Sequence, residues 1–218
     1  MTASLTLKEK FKHYLSTLRY AFYILSHPLD GFWDLTHEKR GSVAAATTIL
    51  VLTILARIMS MQYTNFMFMH VYWDDINIFL YIASIVFPLL LWCVGNWGLT
   101  TLFDGKGRLK QVYMSTCYAL LPYPLLQFPL IIASNIVTIE EGDFYTVVGA
   151  FSIVWAAFLI IAAMLEIHEY SLAKTIFFTV ASIFAMLVEL FILLLFFSMI
   201  SQGIAYFVSL FREIMFRM

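Results

Sequence analysis

The sequence predicts an all-α polytopic membrane protein: a bundle of five transmembrane helices flanked by N- and C-terminal interfacial amphipathic helices. Three observations carry that expectation. Of the 218 residues, 62% are hydrophobic and only 12% charged, whereas water-soluble domains run near a quarter charged. The apolar residues gather into five runs, each long enough to cross about 30 Å of hydrocarbon, which takes roughly 20 residues of helix. The loops joining those runs alternate in charge along the chain.

Residues 1–41 form a cytoplasmic amphipathic segment carrying Lys8, Lys10, Lys12, Arg19, Lys39 and Arg40. Thr6-Leu7-Lys8-Glu9 fits a capping box, in which Thr6 and Glu9 satisfy free N–H groups at a helix start. From there Leu7, Phe11, Leu15, Leu18, Phe22 and Leu25 make one apolar stripe, with Lys8, Lys12, Ser16 and Arg19 opposite. Such a helix lies in the headgroup plane and is drawn to anionic lipid; it serves equally well as a cap on the bundle. His27-Pro28 ends it, because the residue before proline avoids helical angles.

The membrane domain, residues 42–200, holds spans at about 42–61, 76–102, 112–136, 144–165 and 173–200. Loop 62–75 has no Lys or Arg, ends in Asp74-Asp75, and holds Tyr63, Phe66, Phe68, Tyr72 and Trp73, rings that favour the headgroup level. Met59, Met61, Met67, Met69 and His70 beside them read as flexible apolar filler. Loop 103–111 carries Lys106, Arg108 and Lys110, loop 137–143 carries Glu140, Glu141 and Asp143, and loop 166–172 leads into Lys174. The positive-inside rule then puts the N-terminus in the cytoplasm of a multi-pass plasma-membrane protein and the C-terminus outside. Arg212 and Arg217 fall on the outer side, against the rule. Ser201-Gln202-Gly203 is expected to interrupt the fifth span, leaving 201–218 as a C-terminal interfacial helix.

Two charges stand deep in the apolar runs. Arg57 lies 15 residues past Ser42 and Glu189 lies 15 residues past Lys174, so each sits about 22 Å above the cytoplasmic edge. Intramembrane charges usually pair and face the protein interior, and equal depth predicts a structural ion pair between Arg57 and Glu189 if spans one and five are neighbours. Pro88 in span two and Pro122, Pro124 and Pro129 in span three each delete a helix hydrogen bond and kink the helix. Gly149, Ser152 and Ala156 share a face of span four that packs closely on another helix. Asn96, between Gly95 and Gly98, is placed to hydrogen-bond across helices.

The residues exclude several function classes. No basic stripe suggests nucleic acid, and no catalytic, cofactor or metal constellation is expected. His37-Glu38 and His168-Glu169 lack the second His of a zinc motif. Glu166, His168 and Glu169 read as a polar helix end. Asp104-Gly105-Lys106-Gly107 reads as a turn. Cys93 and Cys117 fall inside spans and stay reduced.

Taken together the chain resembles the Yip family, the Ypt/Rab-interacting multispanning membrane proteins, in its prokaryotic branch. The resemblance rests on five spans, the segment His27-Pro28-Leu29-Asp30-Gly31-Phe32 leading to Lys39-Arg40-Gly41-Ser42, Phe103-Asp104-Gly105-Lys106-Gly107 after span two, and Tyr118-Ala119-Leu120-Leu121-Pro122 in span three. In the family's Gly-Tyr-x-x-x-Pro pattern, Cys117 stands where the glycine is expected. The resemblance implies a membrane protein without chemistry of its own, a scaffold or accessory subunit. Its partners would be the lipid bilayer and other membrane proteins, a sugar-uptake transporter among them, or a second copy. Eukaryotic members bind prenylated small GTPases through a long cytoplasmic region; with only about forty residues there, GTPase binding is not expected. The competing expectation is a transport-related protein whose path is lined by the proline-broken third span and Glu189.

Overall fold

The protein's computed structural model describes residues 7–68 and 77–217. Thr6 of the expected capping box, and Met69, His70, Tyr72, Trp73, Asp74 and Asp75 of the first far-side loop, lie outside the described residues. The described residues form eight α-helices and two short 3-10 turns, with no strand among them.

Helix α1 (Leu7–Ser26) is followed at once by α2 (Pro28–His37), a helix the sequence pattern did not announce. Pro28 does two jobs. It ends α1 and occupies the first position of α2, where a missing N–H leaves nothing unpaired. The corner is tight: a Cβ on Gly31 would sit 2.9 Å from Ile24 Cγ1. Phe32 and Leu35 on α2 are fully buried, each adding roughly 1.5–3 kcal/mol of apolar burial.

The spans then run α3 (Val43–Tyr63), α4 (Ile78–Leu102), α5 (Leu109–Ala119) with α6 (Pro122–Ser134), α7 (Gly142–His168) and α8 (Leu172–Arg217), five stretches long and apolar enough to cross a membrane. Ser42 caps α3 by accepting from Ala45 N–H at 3.1 Å, and Asn77 caps α4 by accepting from Phe79 N–H at 3.0 Å, satisfying donors that a helix start leaves free. The third span is interrupted at Leu120-Leu121. Pro122 and Pro124 fall in the first turn of α6, where no intrahelical donor is needed. Around Pro88 and Pro129 the helices α4 and α6 continue.

One expectation is overturned at the C-terminus. Helix α8 runs unbroken through Ser201-Gln202-Gly203 for 46 residues. A lone glycine costs a helix only about 1 kcal/mol, and a Cβ at Gly203 would meet nothing within 4 Å, so no packing rewards a break there.

The α5–α6 span is the most buried of the five. Helices α3 and α7 pack on it from both sides, α4 packs on α3 and α5, and α8 lies outermost against α4 and α7. The main apolar core, with Ile24, Phe32, Ile49, Val112, Cys117, Tyr118, Leu159 and Met164, sits toward one end of the bundle. Lys39, Arg40, Lys106, Arg108 and Lys174 belong to that end, and Glu140, Glu141 and Asp143 to the other. At the acidic end Asn65 N–H donates to Ser134 Oγ at 3.2 Å, Asn135 Nδ2 to Tyr63 O at 3.0 Å, and Phe68 stacks on Tyr145.

Candidate functional site

Two polar sets inside the bundle are candidates for function, and they differ in how their groups are satisfied. The first is a clasp at the basic end. The turn after α4 begins with Asp104 in the left-handed region, at φ 59°, and folds back so that Gly105 N–H donates to Thr100 O at 2.8 Å. Gly107 N–H donates to His168 Nδ1 at 3.3 Å. Its glycine is demanded by close approach, because a Cβ would stand 2.5 Å from Ile167 Cγ2 and 2.6 Å from His168 Cε1. With Nδ1 accepting, the ring proton belongs on Nε2, which donates to Asn96 Oδ1 at 3.0 Å. Asn96 Nδ2 passes the chain to Ser182 Oγ at 3.0 Å, and that hydroxyl donates to Phe178 O at 2.7 Å. Asn96, Ser182 and His168 are all buried. One hydrogen-bonded chain therefore ties α4, its following loop, α7 and α8 together, and both ring nitrogens of His168 are engaged.

Around this chain the surface is ionic. Lys106 Nζ pairs with Glu169 Oε2, and His37 Nε2 lies 3.5 Å from Glu169 Oε1. The Lys106 hydrogen bond holds the Glu169 carboxyl below the usual carboxylate range. Tyr170 OH donates to Phe103 O at 2.7 Å while Lys174 Nζ sits 4.1 Å from its ring centroid; burial raises the Tyr170 phenol. Among the described residues no hydrogen bond or ion pair joins Glu166 to His168, whose two ring nitrogens are engaged by Gly107 and Asn96.

The N-terminal helices dock on the same end through Tyr118. Its hydroxyl donates to Thr17 O at 3.0 Å and accepts from Ser42 N–H at 3.4 Å; Thr17 and Ser42 hydroxyls lie 3.0 Å apart. This seats the Thr17, Ala21, Ile24 face of α1 on the bundle and leaves Phe11, Leu15 and Phe22 of the apolar stripe exposed. The helix thus has one face for the bundle and another free to meet lipid.

The second set surrounds a cavity of about 580 Å³ within the span region. Arg57, Ser84, Ile85, Pro88, Leu89, Trp92, Thr116, Leu120, Tyr123, Ile153, Ala156, Ile160 and Met186 are among its lining, drawn from every span. Arg57 is exposed. No ion pair joins it to Glu189, which corrects the pairing expected from depth. The two differ in height as well as in packing neighbours: Arg57 stands six residues before the end of α3 at Tyr63, whereas Glu189 lies against Gly95, seventeen residues past the start of α4 at Ile78, about 9 Å against about 25 Å in from the acidic end. Glu189 instead lies over Gly95, with Oε1 3.1 Å from where a Cβ would stand, and its buried Oε2 has no hydrogen-bond partner. It is not part of the cavity lining.

Small residues set the helix contacts. Ser152 and Ala156 are buried, and Gly149 faces Leu130 of α6, whose Cδ1 would lie 4.0 Å from an added Cβ. Sequence reading did not single out the Gly95–Ala185 approach between α4 and α8, where a Cβ on Gly95 would come 3.4 Å from that of Ala185. It also missed the His168–Asn96 bond. Asn96 and His168 are 72 positions apart, and no local pattern links them.

The family model described as the Yip1 domain covers residues 22–197. No curated protein and no solved structure matches the chain.

Proposed function

The chain belongs to the Yip family of membrane proteins, and from that premise we propose that it is a non-enzymatic scaffold or accessory subunit for another membrane protein or for a second copy of itself. The proposed location is a bacterial-type plasma membrane, with the basic end, α1 and α2 in the cytosol, in keeping with the positive-inside rule, and the C-terminus of α8 outside after five crossings. The lipid bilayer and a transport complex, such as a sugar-uptake transporter, are the proposed partners.

The observation that carries this reading is α8. Its 46 residues amount to about 69 Å of helix, more than twice the hydrocarbon thickness of about 30 Å. Beyond Glu189 it packs on nothing in its own chain strongly enough to bury a residue: Phe191, Leu194, Phe197, Phe207 and Phe211 are all exposed, Phe207 by 70%. Lipid can cover only the part of such a rod that lies in or on the bilayer. A partner that cradles the distal half would cover the rest.

Purification of the full chain in mild detergent tests the reading. A second protein, or a second copy, should co-elute in fixed ratio and be lost when the chain is stopped after Ile200. A full-length chain that is always a lone monomer contradicts it. The transport reading has less support, because the lining reached by Leu120 and Tyr123 includes no acid and does not reach Glu189.

A further inference from the structure

We propose that the intramembrane cavity is a binding site for an anionic phospholipid, one acyl chain lying inside it and the phosphate held at Arg57 and Ser84. The proposal stands on the make-up and the depth profile of the lining.

The volume, about 580 Å³, falls within the roughly 300–1,000 Å³ of ligand sites. Its polar members are one cation, Arg57, and the hydroxyl or indole groups of Thr53, Ser84, Thr116, Tyr123 and Trp92, with no Asp or Glu among the lining. Among the described residues Arg57 has no ion pair or hydrogen bond, although intramembrane charges ordinarily have a partner. An anion supplied from outside the chain would complete it.

Depth sorts the lining as a lipid is sorted. Arg57 lies six residues before Tyr63, the end of α3, and Ser84 six residues after Ile78, the start of α4, so both stand about 9 Å in from the acidic end. Trp92, on α4, is about 21 Å in by the same measure, at ~1.5 Å per residue. Between those levels Ile85, Leu89, Leu120, Ile153 and Met186 supply an apolar wall. A polar mouth above an apolar shaft is the profile of a headgroup with its chain. Ile153 is 61% exposed on α7, so the lining reaches the face that lipid covers and a chain can enter sideways. At the deep end Trp92 Nε1 is buried without a partner, and the Thr116 hydroxyl has only the Cys93 thiol beside it.

Reconstitution tests this with Trp92 as reporter. A variant with Trp33→Phe, Trp73→Phe, Trp97→Phe and Trp155→Phe keeps Trp92 as the one indole of the five in the sequence. It is placed in phosphatidylcholine vesicles, and phosphatidylglycerol with chain-brominated acyl groups is added in steps. The expected result is saturable quenching at a few mole per cent. Brominated phosphatidylcholine should quench only in proportion to its amount. Arg57→Gln should remove the saturable part, and Thr116→Val should leave it. Equal quenching by the two lipids, or saturable quenching that survives Arg57→Gln, overturns the proposal. Native mass spectrometry of the unmodified protein is a second, independent reading. One retained phosphatidylglycerol per chain supports the site; retention of phosphatidylcholine to the same degree refutes it.

Discussion

The clasp and the cavity both gather polar side chains inside the bundle, yet they are opposites. In the clasp, Gly107, His168, Asn96 and Ser182 form a closed chain in which each donor finds an acceptor. In the cavity, Arg57 has no partner among the described residues and Trp92 Nε1 is orphaned. Bilayer hydrocarbon offers nothing to replace a missing hydrogen bond. Polar groups that close on one another there hold the fold, and polar groups left open mark where something else belongs.

Substitutions can break or sharpen that contrast. The largest effect should come from Asn96→Leu, which strands the His168 Nε2–H in the core; an orphaned buried group costs about 1–3 kcal/mol. The thermal midpoint in detergent should fall by several degrees, at roughly 2–4 °C per kcal/mol for a chain of this size. Gly107→Ala follows. Its methyl would press on Ile167 and His168, and overpacking of this sort costs about 1–3 kcal/mol, seen as a lower midpoint and faster proteolysis of the 103–108 loop. Smaller again is the coupling between Arg57→Leu and Glu189→Leu. Since the two side chains do not meet, a double-mutant cycle should close to within about 0.5 kcal/mol; rescue of one change by the other would show that they pair after all.

The smallest effect belongs to the exposed Lys106–Glu169 pair. Hydrogen bonding to Lys106 lowers the folded Glu169 pKa, so its contribution is present in full above the ordinary value of about 4.3 and is lost as pH falls below that through the lowered value. The wild-type midpoint should therefore drop more than that of Lys106→Ala in this acid window, and the difference should fade in high salt, which screens surface charges.

Much of the fold was legible in the sequence because hydropathy and charge report height along the membrane normal. The five spans, the Ser42 start of α3 and the interruption before Pro122 follow from local pattern. Height, however, says nothing about which helices are neighbours. That is why His168 could not be joined to Asn96. Counting from the span starts also gave Arg57 and Glu189 one depth, whereas the structure sets the Glu189 carboxylate against Gly95, deeper from the acidic end than Arg57. Helix α2 escaped notice because its ten residues begin at a proline that reads first as a stop. The continuity of α8 was hidden for a related reason: Ser201-Gln202-Gly203 has turn composition, and only the lack of packing around it lets the helix run on.

The most direct measurement is the thermal midpoint of purified wild type, Asn96→Leu and Arg57→Gln, each with and without phosphatidylglycerol. Asn96→Leu should be less stable in both conditions. Arg57→Gln should match wild type without the lipid and fail only to gain the rise that the lipid gives. If Arg57→Gln is as unstable as Asn96→Leu in lipid-free detergent, Arg57 is part of the fold and the division between a closed and an open polar set is wrong.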